Sequence, residues 1–577
     1  METLNLELKE IQLLMQQQHY DKALQVINEL ERSFGPSTDT TLVRARICLY
    51  TRRYADAEKS YLIIGVPALI KCNEIYNYIF VLKELRKVHT AINQYQQYNL
   101  ADLSLNLALL YCQLLHEAGM AEHLLKHLRT AAVKFQHDEQ FLITSAFYHR
   151  LANHPSLSFE ALEAKSGTSE HYFLELAHGH LHQQQSAKAT EVLHQGLKVH
   201  PQSIALHKML AETLRTIDPD GNIFEVLDEH IARLNQNSVQ VLPLAFLKAE
   251  ILITIKSFSE AGKYLASLSQ RYPSQLRLTY LKSVVACRLE KYAEAEQLLD
   301  FCINGSGPDK RLFIDKSFYL MRRGDFPAAE SFLMKAANIA PFDQEVLGYL
   351  SVCWQQNKAQ HRNWLVNQHE FVKSIPVKDD FEQLVQSEDA WHQLTGFLKQ
   401  LHSNQQDPLD QSVNGGSQTT GNLFSLTDPL VLNLRQVLER AVDQYLKSLP
   451  NDPNHPFLKR KGSGFCCSGS WSVRLRGEGF HTNHVHPVGW LSGCLYVDVP
   501  SSLLNSHAIE EKAGWIKFGV SDIVPDVAPD ALYPPVPGNL MLFPAYFWHG
   551  TNPFKVEEAE QGASRLTVIF DIEPVYG

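Results

Sequence analysis

Three short stretches near the end of the chain hold the residue types that bind metals and anions. The first is Phe480-His-Thr-Asn-His-Val-His-Pro487. In extended backbone, residues i and i+2 project to one face, so His484 and His486 can offer two imidazoles to one divalent cation. The chain has 26 histidines, so a His-x-His pair carries little weight by itself. His178, His180 and His182 repeat the spacing inside a helical pattern. There i and i+2 diverge by ~200°, and these three read as helix-surface or packing residues. The second stretch runs from Pro537 through an apolar strand and a turn to His549. It delivers a third imidazole to a strand end. The third is Arg565-Leu-Thr-Val-Ile-Phe570. Alternation puts Arg565 and Thr567 on one face and Leu566, Val568 and Phe570 on the other. An interior Arg565 needs an anion, and a bidentate carboxylate suits it. Tyr496 alternates toward the same side if His486 does, and its phenol can hydrogen-bond a carboxylate.

Neighbouring residues receive plainer readings. His481 and His507 read as surface or supporting residues. Arg474 and Arg476 share a strand face, as surface residues or as help for an anion. Trp471, Trp490 and Trp515 read as core, and Lys459–Lys461 as a solvated turn.

These stretches need strands to position them. After Pro450, short apolar or alternating runs are separated by Gly, Pro and Asn. They are 471–475, 490–499, 515–520, 539–543 and 565–572, which predicts a sandwich or jelly roll. One helix precedes them, from about Asp428 to Leu449, with Thr427 or Asp428 as its cap and Pro429 in its first turn. Residues 405–408 and 415–421 read as loop, being rich in Gly, Gln and Pro.

Upstream the pattern is helical and periodic. Phe258-Ser-Glu-Ala261, Tyr292-Ala-Glu-Ala295 and Phe326-Pro-Ala-Ala329 recur every 34 residues, as do Tyr20-Asp-Lys-Ala23 and Tyr54-Ala-Asp-Ala57. Pro273 and Pro341 lie fifteen residues after their aromatics, and Ser186-Ala-Lys-Ala189 with Pro201 is a further unit. A small Ala lets two antiparallel helices approach closely, and proline marks the end of the second. Residues 64–177 read as degenerate repeats. A single hairpin cannot cover its own apolar face, so stacking is required. These motifs resemble the tetratricopeptide-repeat family over about residues 1–375. The resemblance implies a superhelix whose concave face binds a protein or peptide.

The C-terminal motifs resemble the iron(II)/2-oxoglutarate oxygenase superfamily. His484-x-His486 is followed by His549 and then by Arg565-x-Thr567. More closely, Gly415-Gly-Ser-Gln-Thr419, Ser470-Trp-Ser-Val-Arg474 and the segment His484–Gly493 are similar to a bacterial family of such oxygenases. The fold implied is multidomain: an all-α tetratricopeptide solenoid over 1–380, a capping helix or linker over 381–404, and a mainly β double-stranded β-helix with an N-terminal helix over 405–577. The resemblance implies Fe(II) held by His484, His486 and His549. It also implies 2-oxoglutarate held by Arg565, with Thr567 and Tyr496 beside it, and O₂. The activity implied is hydroxylation of a protein or peptide brought by the array. The superfamily's usual triad is His-x-Asp/Glu…His, and this chain has His486 at the acid position, so iron takes either three neutral imidazoles or only one of His484 and His486, with water filling the remaining site. Aspartate at position 486 is therefore expected to be tolerated. Two alternatives stand: a cupin-like metalloenzyme that does not use 2-oxoglutarate, and a repeat scaffold with an inactive jelly roll.

Composition agrees with a globular chain. The 577 residues are 45% hydrophobic and 20% charged, enough apolar material for more than one core. A net charge of -10 argues against nucleic acid as a partner. No apolar run approaches membrane length and the N-terminus lacks a signal-peptide pattern, so a cytoplasmic location is expected. The nine cysteines form no CxxC pair and read as reduced core residues. The oligomeric state is not legible.

Overall fold

Each aromatic-to-alanine motif opens a helix. Phe258, Tyr292 and Phe326 are the first residues of the helices Phe258–Arg271, Tyr292–Ser306 and Phe326–Ile339. Ala261, Ala295 and Ala329 have no exposed surface, as the close helix approach requires. The preceding turn has its own period. Lys256 and Glu290 adopt φ 63° and 60°, and Gly324 adopts φ 82°. In the first of these turns Lys256 N–H bonds to Ile253 O at 3.0 Å, and Ser257 N–H to Leu252 O at 2.9 Å. That pattern caps the preceding helix through a left-handed residue.

The computed structural model describes all residues except 1, 98–102, 153–155, 219–220, 236–237, 403–412, 420–421, 463, 556–561 and 576–577. The expected loop at 405–408, the end of the 415–421 stretch and the boundary at 404/405 lie outside the described residues. The chain forms two compact units. One comprises Met1–Thr144 with Gly462–Cys466 and Pro574–Gly577, and the other Ser145–Lys461 with Cys467–Glu573.

The first unit is helical. Tyr20–Phe34 and Tyr54–Ile64 begin at the predicted aromatics, with Ala23 and Ala57 fully buried. Arg52 at φ 58° turns the chain into the second of them. Ser37 starts the helix Thr38–Tyr50 with a capping box, exchanging hydrogen bonds with Thr40.

The second unit begins with further helical hairpins. Leu242–Thr254, Phe258–Arg271 and Leu276–Arg288 share a core of Leu244, Leu252, Ala261, Leu265, Leu278 and Leu281. Burying each such Leu stabilises the hairpin by roughly 1.5–3 kcal/mol, which offsets the ordering of a unit that cannot stand alone. The last helix of this series is Gln344–Gln356.

The strands, which lie in this unit apart from Gly464–Cys466 and Pro574–Val575, are β1 (Lys373–Pro376), β2 (Val413–Gln418), β3 (Gly464–His481), β4 (Leu491–Asp498), β5 (Ile516–Phe518), β6 (Ala531–Tyr533), β7 (Asn539–Pro544), β8 (His549–Thr551) and β9 (Arg565–Val575). One sheet has the order β1-β7-β4-β9-β3-β2, and the other β6-β5-β8. Non-sequential neighbours in two sheets are the pattern of a jelly roll. The preceding helix spans Pro429–Ser448, and Asp428 caps it through Leu430 N–H. Gly416–Gln418, expected as loop, pairs with β3 as strand, with a register shift at Gly415 between Asn414 and Gly416.

Two features lie upstream of residue 405. β1 pairs with β7, Lys373 opposite Leu542. The segment 381–404, read as a cap or linker, contains most of Lys378–Val385 and all of Ala390–Leu401. Trp391 Nε1–H donates to Val497 O at 3.0 Å, and Lys399 pairs with Asp498 at 2.5 Å. This segment is therefore fastened to the end of β4.

Candidate metal and co-substrate site

β9 runs between β4 and β3 in the larger sheet. Its alternation sends Arg565, Thr567, Ile569 and Asp571 into one cavity of about 550 Å³. Leu566, Val568, Phe570 and Ile572 pack in the opposite layer, all buried. β4 contributes Cys494 and Tyr496 to the same cavity. The register pairs Tyr496 with Thr567, Cys494 with Ile569 and Ser492 with Asp571.

His484, His486 and His549 converge at one end. One ring nitrogen from each lies within 4.8 Å of those of the other two. The convergence has a backbone cause. His484 N–H bonds to His549 O at 2.9 Å, and His549 N–H returns to His484 O at 3.0 Å. His486 N–H bonds to Ala545 O at 2.9 Å. A short antiparallel pairing thus places residues far apart in sequence side by side.

Each imidazole is held in one tautomer. The Nδ1 of His484 lies 2.8 Å from Thr482 O, and that of His549 lies 2.9 Å from Phe547 O. A carbonyl only accepts, so Nδ1 carries the hydrogen and Nε2 presents its lone pair. His486 Nδ1 lies 2.7 Å from Asp571 Oδ1. Burial pulls the His484 ring down to about 3, and His549 well below its ordinary value. Both are therefore neutral and free to ligate at ordinary pH.

The cavity also contains an unanswered cation. Arg565 is 2% exposed. Its two hydrogen bonds go to neutral oxygens, Nη1 to Gly514 O at 2.6 Å and Nη2 to Thr551 Oγ1 at 3.3 Å. Its Nε has no partner, and neither does the buried hydroxyl of Tyr496. Burial lowers the Arg565 pKa, the direction expected of a charge without a counter-ion. An unpaired buried charge is costly. A carboxylate entering here would accept from both orphaned donors. The donor set therefore fits a divalent metal at the three histidines and a carboxylate-bearing ligand at Arg565.

Residues 469–571 match the family model described as "Putative 2OG-Fe(II) oxygenase". The C-terminal region carries a 2OG-Fe(II) oxygenase domain. No curated protein matches the chain. Among solved structures the chain is similar to a Pseudomonas putida prolyl-4-hydroxylase, at 14% identity and TM-score 0.24, covering 37% of this chain and 97% of that one. It is also similar to the APC/C hetero-tetramer Cut9-Hcn1, at 12% identity and TM-score 0.28, covering 78% and 88%. Pseudomonas aeruginosa PilF gives 17% identity and TM-score 0.26, covering 33% and 86%. Scores this low carry no functional weight.

The other sequence expectations for the oxygenase domain divide. Trp490 is core, at 1% exposure. Trp471 instead lines the cavity, its ring 6.0 Å from that of His486. His481 lines the cavity beside His484, whereas His507 is exposed and pairs with Glu511 at 3.5 Å. Arg474 donates to Ser564 Oγ at 2.8 Å, and neither it nor Arg476 lines the cavity. Within Lys459–Lys461, Arg460 is not simply solvated, since it pairs with Glu573 at 2.6 Å. Not every cysteine is core, because Cys72 is exposed. Asp571, Ser492 and Thr551 were missed. Asp571 had a signal, since it continues the i, i+2 series from Arg565. Thr551 had none, because its partners are fixed only by the pairing of β8.

Proposed function

We propose that this chain is an Fe(II)/2-oxoglutarate-dependent dioxygenase that hydroxylates a protein or peptide substrate recruited by its repeat array. The observation that carries the reading is the placement, in one cavity, of three converging imidazoles and a buried arginine with an unpartnered donor. His484, His486 and His549 would hold the metal through Nε2. Arg565 would pair with the distal carboxylate of 2-oxoglutarate, with Tyr496 donating to it and Thr567 beside it. Fe(II) with 2-oxoglutarate and O₂ supplies the oxidising chemistry that releases succinate and hydroxylates a C–H bond. The protein's part is to orient and to exclude water: Phe543, Ile516 and Ile569 give the cavity apolar walls. Stacked helical hairpins present a long continuous face, which supports a macromolecular partner over a small molecule. Among the described residues no helix is long and apolar enough to cross a membrane.

Succinate release tests the reading. Purified full-length chain, loaded anaerobically with Fe(II) and then given 2-oxoglutarate and O₂, is expected to produce succinate slowly without substrate and faster with its partner. His549→Ala is expected to abolish both. Iron bound at one tight site with no succinate formed under either condition would favour a metalloenzyme that does not use 2-oxoglutarate.

A further inference from the structure

The three imidazoles are not equivalent, and the difference falls where this chain departs from the His-x-Asp/Glu…His pattern. His484 and His549 each rest Nδ1 on the carbonyl of the residue two before them. His486 rests its Nδ1 on a carboxylate. We propose that Asp571, acting through His486, supplies the negative charge that a directly bound carboxylate would supply, and so makes His486 the strongest donor of the three. This rests on the metal-site reading above.

The carboxylate is built in rather than incidental. Asp571 is 7% exposed and stands opposite Ser492 in the sheet register. Its Oδ1 accepts from the Ser492 hydroxyl at 2.5 Å and from His486 Nδ1 at 2.7 Å. Gly489, at φ +108°, lies over it, and a Cβ there would sit 3.1 Å from the Asp571 Cβ. The turn before β4 thus closes tightly on Asp571, at a backbone conformation that favours glycine.

The charge has a task in this cavity. Three neutral imidazoles leave the double charge of a metal uncompensated, and Arg565 adds another positive charge. A dianionic keto acid balances two of these three. Asp571 balances the third. A carboxylate behind a ligating histidine fixes its ring and raises its basicity, and losing such a partner typically costs about 10–100-fold in metal affinity. Asp571 is therefore a positioning residue, one hydrogen bond removed from the metal.

The test is an anaerobic titration of the full chain with Fe(II), repeated with Co(II) for its visible spectrum. Asp571→Asn keeps an acceptor for His486 and removes only the charge. It is expected to weaken binding about 10–100-fold and to shift the Co(II) bands, with the melting temperature of the metal-free protein little changed. In a His486→Ala background the same change is expected to have no further effect on affinity; independent losses would mean a merely structural role. His486→Asp alone would set two buried carboxylates side by side and is expected to bind no better than His486→Ala. The double variant His486→Asp, Asp571→Asn moves the charge inward and is expected to recover binding. Wild-type affinity in Asp571→Asn would overturn the inference and leave the three-histidine site standing. A wild-type chain with no site dependent on His549 would remove both.

Discussion

Arg565 reaches into the cavity with its guanidinium 6.0 Å from the ring of Tyr496 and 5.6 Å from that of Phe554. Aromatic faces and two neutral oxygens hold it in place, and its Nε is left for something that enters. Arg565→Ala is expected to weaken 2-oxoglutarate binding by on the order of 2–5 kcal/mol, and Tyr496→Phe by about 1.5–3 kcal/mol. Metal affinity should stay near wild type in both, because neither residue is hydrogen-bonded to any of the three histidines. Calorimetric titration of the Co(II)-loaded protein separates the two effects; loss of metal in Arg565→Ala would mean that the arginine supports the metal instead. The three histidines and Arg565 were legible because metal-binding and anion-binding types stand at strand spacing that implies a face. Asp571 was legible in position but not in role. Its partner, His486, lies 85 residues away, and no local pattern reveals a pairing across two strands. The sequence alone favours tolerance of aspartate at position 486. The carboxylate of Asp571, already standing behind that ring, favours the opposite, and the titration of His486→Asp decides between them.

The long elements were readable and the short ones mostly were not, β5 (Ile516–Phe518) inside the predicted run 515–520 being the exception. β4, β7 and β9 follow predicted runs to within three residues because each buries a row of alternating or continuous apolar residues, whereas of β3 only 471–475 was predicted, its flanks being largely half-buried or exposed. β6 and β8 have three residues each, and only their partners define them. β1 was hidden inside the helical array, since four residues carry no usable period. Its pairing with β7 bears on how the chain can be cut. We propose that the unit able to fold as the oxygenase domain begins well before residue 405. A fragment starting at 405 would uncover the edge of β7 and lose the Trp391–Val497 hydrogen bond. It is expected to be insoluble or to show little cooperative unfolding. A fragment starting near 340 retains β1, both helices and Gln344–Gln356, and is expected to fold and bind metal. Circular dichroism melts and metal titration of the two fragments decide this; a stable, metal-binding 405–577 fragment would contradict it.

At the scale of the whole chain, buried neutral histidines contribute to the response to acid. His402 lies between the helix Ala390–Leu401 and the sheet, with its ring nitrogens 2.9 and 3.0 Å from Ser417 and Ser472. His207 is 2% exposed within the array. Burial lowers both from 6.5 to about 4. As pH falls below about 6.5, the unfolded chain takes up these protons before the folded one does. Their stabilisation is thus fully present above that value and is lost progressively down to about 4. Each contributes a slope of about 1.4 kcal/mol per pH unit within the window. His402→Gln is expected to flatten the dependence for the oxygenase half, as read by urea unfolding of the metal-free protein between pH 7.5 and 4.5. A slope equal to wild type would show that His402 titrates normally. The sequence disclosed the array best where the 34-residue period is strict. Residues 64–177, where the motif blurs, read as degenerate repeats.

Gly348, on the helix Gln344–Gln356, accepts a 2.9 Å hydrogen bond from Trp548 Nε1 through its carbonyl. The neighbouring Tyr349 stacks on the Trp548 ring. A Cβ at position 348 would meet Val485 at 2.9 Å and Tyr546 O at 3.1 Å. Val485 separates two of the histidines, and Trp548 precedes the third. The seam between array and oxygenase domain therefore runs against the backbone that carries the imidazoles, with no spare layer of side chains between. Recombination that exchanged the two halves as interchangeable cassettes would disturb the very turns it meant to preserve. A workable graft must carry this helix along with the strands, so in any exchange of parts the final hairpin of the array is inherited with the oxygenase domain.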